Sequence, residues 1–170
     1  VHALLDGRQT VLLRKGGIGE KRFAVTASRF LLFPTVAHSH AERVRPEHRD
    51  LLPAATGDST EDTVVIRAGA AVVAAIEVNR PEALESIARH HIWTDESVRA
   101  GRLDFRPKQR LTVLVVQASP LTRPVRLSRT PDYAGCTSWV QLPVDPEWAP
   151  PVHEEATLSR IADEVRRSVG

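Results

Sequence analysis

The 170-residue chain carries one cysteine, Cys136, no methionine, a single tyrosine, four phenylalanines and three tryptophans. A lone cysteine excludes an internal disulfide, which fits a reducing compartment. No apolar run approaches the roughly 20 residues that span a bilayer, and no basic-then-apolar leader opens the chain. The expectation is a soluble, cytoplasmic protein with no membrane partner. Lysine is scarce, at positions 15, 21 and 108 only, so positive charge is almost all arginine. Arginine's planar fork suits phosphate and stacks on bases, but a formal net charge of +2 does not by itself demand a polyanion. Also missing are the Walker spacing, paired cysteines and a His-Glu-x-x-His string. No cofactor, metal or catalytic residue is therefore expected.

What is present is a set of short apolar runs broken by turn residues. Asp6-Gly7 between His2–Leu5 and Gln9–Leu13 predicts a β-hairpin. Phe23–Thr26 and Arg29–Phe33 read as strands, the second closed by Pro34. A helix is predicted over Pro46–Leu52, followed by a flexible loop through Ala54–Ser59. Val64–Ile66 and Ala71–Val78 read as two strands with Gly69 at a turn or bulge between them. Pro81 opens a helix to His91, and Thr94 caps a second helix that Gly101 ends. Leu111–Val116, apolar throughout, reads as a central strand buried on both faces, and Val125–Leu127 and Trp139–Leu142 complete the sheet. The spacing of Leu158, Ile161, Ala162, Val165 and Val169 predicts an amphipathic helix over 154–169. The fold class is α+β: a small, curved, mostly antiparallel sheet or partly open β-barrel, with inserted helices. Residues 1–142 form the domain and 143–170 a proline-rich connector with a C-terminal helix.

Two patches set charged or aromatic groups beside glycines, where backbone approaches a ligand closely. In the first, Arg14 and Lys15 precede Gly16 and Gly17, a pattern able to meet phosphate; as a plain hairpin end it would do nothing more. The second runs from Tyr133 through Cys136 to Trp139. Trp93, Tyr133 and Trp139 offer faces for stacking a base, against the ordinary role of filling a core. His38 is a candidate for ligand contact or acid–base work. Cys136, with no acid or histidine near in sequence, reads as packing. The run Arg99, Arg102, Arg106, Lys108, Arg110 is interrupted only by Asp104 among charged residues. For a metal-dependent nuclease the nearest fragments are Glu77-Val78-Asn79 and Asp104 with Lys108, neither in an acid-x-Lys arrangement.

The string Gly7 to Ile18, Phe33-Pro34-Thr35 followed by His38, the triplet Ile92-Trp93-Thr94, and Tyr133-x-Gly135-Cys136-x-Ser138-Trp139-Val140 resemble the bacterial family called domain of unknown function 1802. The resemblance runs to about Leu142. In that family a glutamine usually follows the histidine after Phe-Pro-Thr, where this chain has Ser39. Family members occur joined to Mrr-like restriction endonuclease domains, so the resemblance implies a place in restriction or other defence, with an endonuclease as partner. The element order from Thr63 to Leu142 is also similar in architecture to the PUA-like group (EVE, ASCH and YTH domains), which holds RNA or a modified base in an aromatic pocket. The expected function is a non-catalytic, nucleic-acid-binding accessory module that contacts DNA or RNA through Arg14, Lys15, Gly16, Gly17, His38, Trp93, Tyr133 and Trp139, with a modified-base reader as its sharper form. The alternatives are a metal-dependent nuclease and a protein-interaction adaptor without a ligand.

Overall fold

The computed structural model describes residues 1–15, 25, 27–35, 40–104, 108–133 and 139–170. Among these residues four strands, β1 (Val11–Lys15), β2 (Arg29–Leu31), β3 (Thr63–Glu77) and β4 (Leu111–Ser128), form one antiparallel sheet in the order β1-β4-β3-β2. The sheet is open, with β1 and β2 as its edges, so α+β with an open antiparallel sheet is the architecture. Among the described residues five α-helices accompany it: α1 (His2–Leu5), α2 (His40–Arg43), α3 (Leu52–Gly57), α4 (Asp95–Val98) and α5 (Glu155–Val169). Tighter 3-10 turns run over Pro46–Leu51 and Pro81–His90.

Strand β4 decides where the core sits. Its side chains alternate between faces: Leu111, Val113 and Val115 join one cluster with Val11, Leu13, Ile76, Leu84 and Ile87, while Leu114, Val116 and Ala118 join another with Leu4, Leu32, Ala68 and Ala70. Both sets are buried, so the apolar run at 111–116 is the central strand its composition predicts. Helix α5 covers the first face, burying Leu158, Ala162, Val165 and Val169 in the same cluster. Its C-terminus is tied down where the Asn79 and Arg80 amides donate to the Val169 carbonyl at 2.8 and 3.1 Å. Helix α1 lies over the second face.

Several local expectations are corrected. His2–Leu5 is a helical turn, not the first arm of a hairpin. Gly7 does adopt the positive φ of 74° that an Asp-Gly turn favours, but it ends α1. The reason is long-range: β1 finds its partner in β4, Val11 opposite Val115, and α1 gains more by burying Ala3 and Leu4. The supposed loop at 54–59 is mostly α3, and Asp58 after it is buried. Residues 63–77 make one strand, with register shifts between Ile66 and Ala68 and between Val72 and Ala74. Gly69 is no turn; a Cβ there would lie 2.2 Å from the Trp148 ring. Past Gly101 the backbone continues helical, as a π turn over Arg99–Asp104. Residues 139–142 are not a strand, because β2 already holds the outer edge of β3. The predicted strand at 23–26 lies almost wholly outside the described residues. Among the described residues, no helix is long and apolar enough to cross a membrane.

Candidate functional site

A cavity of about 210 Å³ opens on the sheet face opposite α5, between α1 and the segment from α2 to Asp58. His2, Gln9, Phe33, Thr35, His40 and Trp93 are among the residues on its walls. It is smaller than the roughly 300–1,000 Å³ usual for drug-sized ligands, which suits a single planar ring system.

Trp93 is held there by its backbone. Residues Val44 and Trp93 form an isolated antiparallel bridge, and the Trp93 amide donates to His91 Nδ1 at 3.2 Å. The next amide, Thr94, donates to the Arg43 carbonyl at 2.9 Å. Thr94 then caps α4 as its sequence predicts, its hydroxyl accepting from the Ser97 amide at 3.2 Å. The indole faces the His40 ring with centroids 6.1 Å apart. Burial, with the nearby Arg43 charge, holds the His40 imidazole below its ordinary pKa. His91 behind it is buried, and desolvation together with the Arg45 charge pulls its pKa down to about 4. It is therefore neutral near pH 7, as it must be for Nδ1 to accept from Trp93.

Beside this cavity the fold gathers arginines. Arg14 stands on β1 opposite Thr112, and burial holds its guanidinium below arginine's usual pKa. Arg102, on the π turn after α4, is lowered in the same direction by burial, then by the charges of Arg14 and Arg43. Lys15 is lowered by burial and by Arg102, and its ammonium donates to the Leu103 carbonyl at 3.4 Å. Arginine stays cationic at any working pH. For Arg14 the shift registers burial alone, and for Arg102 and Lys15 burial first and then neighbouring positive charge, so the group is a partly dehydrated concentration of cations. Arg43 links this group to the cavity, since its charge acts on both Arg102 and His40.

On the far wall, the register shift after Ile66 leaves Arg67 without a partner in the β4 ladder. Its Nε–H donates to Asp58 Oδ1 at 2.6 Å, and His2 Nε2 meets Asp58 Oδ2 at 2.6 Å. Asp58, only 1 % exposed, thus has both oxygens engaged.

Of the aromatic residues singled out in the sequence, Trp93 lies on the cavity wall. Tyr133 reaches it indirectly, packing edge-on at 5.5 Å against Phe33, a wall residue. Trp139 packs edge-on against Phe30 at 5.2 Å, on the second core cluster. Gly16, Gly17, His38 and Cys136 lie outside the described residues. Glu77, weighed as a metal ligand, is paired with Arg110. Among the described residues, no three of His, Cys, Asp and Glu form a group able to hold a metal ion. Sequence reasoning missed His2, Gln9, Arg43, Asp58 and Arg67; only Arg102 left a signal, as part of the arginine run from 99 to 110. His2 and Asp58 are 56 residues apart, and no local pattern announces such a pair.

No curated protein and no solved structure matches the chain, so the likeness to the PUA-like group is not confirmed. A family profile, by contrast, matches residues 1–164, well beyond Leu142 and into α5. The chain belongs to the family described as domain of unknown function (DUF1802).

Proposed function

We propose that this protein binds nucleic acid, holding one base in the Trp93 cavity while Arg14, Arg102 and Arg43 meet the phosphates. One observation carries the reading: Arg102, partly buried and crowded by the charges of Arg14 and Arg43, stands near an aromatic-walled cavity of single-ring-system size, which Arg43 also feels through His40. Phosphate contacts would supply most of the affinity, and stacking on Trp93 would add roughly 1–3 kcal/mol. The protein would act as an accessory module, and the endonuclease partner implied by the sequence resemblance fits that role. The paired state of Glu77 weighs against the nuclease alternative.

Fluorescence anisotropy with short single- and double-stranded DNA and RNA, plain and base-modified, over a salt series tests this. Binding should weaken as salt rises, and Arg102→Ala should reduce the salt slope by about 1. Trp93→Ala should weaken single-stranded or flipped-base ligands at every salt concentration while leaving that slope intact. Salt-independent binding, or none, overturns the proposal.

A further inference from the structure

The polar wall of the cavity has a hydrogen-bonding sense. Gln9 is 6 % exposed and lines the cavity. Its Nε2 donates to the Val11 carbonyl at 2.8 Å, which fixes the orientation of the amide, since a carbonyl accepts only from the nitrogen. Oε1 has no hydrogen-bond partner among the described residues, yet it is not one of the sealed, unpartnered side-chain atoms. Oε1 thus keeps solvent access on a residue that lines the cavity. His2 is fixed in a similar way. Arg67 occupies Asp58 Oδ1, so Asp58 Oδ2 accepts the proton on His2 Nε2. A neutral His2 then carries its lone pair on Nδ1, an acceptor with no partner among the described residues and likewise not sealed. Two accessible acceptors on residues that line one cavity call for a ligand that donates twice.

We infer that the cavity selects a base bearing an exocyclic amino group, adenine, cytosine or guanine, over thymine and uracil. The amino group offers two N–H bonds, whereas thymine and uracil offer one ring N–H and otherwise carbonyl oxygens, which would face bare acceptors. Methylation of the amino nitrogen removes one of the two donors, so the wall also senses that modification. His2 and Gln9 would be the specificity-determining residues, with Asp58 and Arg67 as positioning residues. The inference rests on the nucleic-acid reading but is tested apart from it, because free nucleosides do not need the arginines.

The experiment titrates nucleosides into the full chain at about pH 8, followed by NMR of the His2 ring and the Gln9 side-chain amide. Cytidine against uridine is the cleanest pair, and adenosine against its N6-methyl form probes the second donor. Cytidine should bind about tenfold more tightly than uridine, the effect of one hydrogen bond left unmade. N6-methyladenosine should fall between adenosine and uridine. His2→Phe keeps a ring but no acceptor, and should erase the preference without abolishing weak binding. Equal affinity for cytidine and uridine, or no response of His2 and Gln9 to any nucleoside at millimolar concentration, overturns the inference. If nucleosides discriminate in this way while oligonucleotides show no salt-dependent binding, the phosphate reading fails and the cavity stands.

Discussion

Acid should destabilise this protein through His91, and the loss should reach the candidate site. His91 is 1 % exposed, and burial with the neighbouring Arg45 charge lowers its pKa from 6.5 to about 4. The folded value lies below the unfolded one, so the unfolded chain takes up the proton first. This contribution to stability is whole above the unfolded pKa and falls as pH drops, levelling once pH passes below the folded value. The gap between 6.5 and about 4 corresponds to about 3 kcal/mol at the acid limit. At pH 5 the loss is about 2 kcal/mol. A protonated His91 would also carry a hydrogen on Nδ1, the atom that now accepts from the Trp93 amide at 3.2 Å. The strand-like segment holding Trp93 should loosen before the global melt. Urea unfolding from pH 8 to 4.5 of the wild type and His91→Asn is the assay, since asparagine offers an amide oxygen in place of Nδ1 without titrating. The difference between the two curves removes every other titrating group and should grow by about 2 kcal/mol between pH 8 and pH 5. The hydrogen-exchange protection factor of the Trp93 amide, taken against the intrinsic rate at each pH, should fall in the same interval in the wild type only. Parallel stability curves would refute the assignment of a buried, neutral His91.

Other substitutions probe the fold that supports the site. Gly69→Ala would place a Cβ 2.2 Å from the Trp148 ring and should cost about 1–3 kcal/mol of unfolding free energy. Trp148→Leu in the same chain should restore part of that, even though it gives up the Arg29 cation over the indole at 4.2 Å. Leu158→Ala, at a fully buried position of α5, should cost about 2–5 kcal/mol by urea denaturation. An effect below about 1 kcal/mol would mean that α5 is not docked on the sheet. Thr94→Ala removes the cap of α4 and should cost about 1 kcal/mol, with a measurable gain in exchange at the Ser97 amide.

Local patterns were legible wherever neighbouring residues carry the decision. Leu111–Val116, the terminal stripe from Leu158 to Val169 and the Thr94 cap all lie where periodicity or a single hydroxyl places them. The hairpin at Asp6-Gly7 failed because the turn chemistry was right and the partner wrong: strand pairing is settled by which distant strand buries more surface. The loop at 54–59 failed because its small, polar composition hid Asp58, whose burial depends on Arg67 and His2 reaching it. Gly69 reads in sequence as a break, whereas its missing side chain makes room for Trp148, 79 positions later by number.

The same division holds at the site. By itself the sequence determined the family, the central strand, the terminal helix and the value of Arg14, Lys15 and Trp93 as places to look, because each is written in contiguous residues. Only the tertiary structure decided that Trp93 walls a cavity while Trp139 packs against Phe30, and that Arg102 and Arg43 join Arg14. It alone brought His2, paired with Asp58, and Gln9 to the lining of the same cavity. The physical reason is that charge crowding, desolvation and hydrogen-bond direction depend on distances through space, which a linear pattern does not encode.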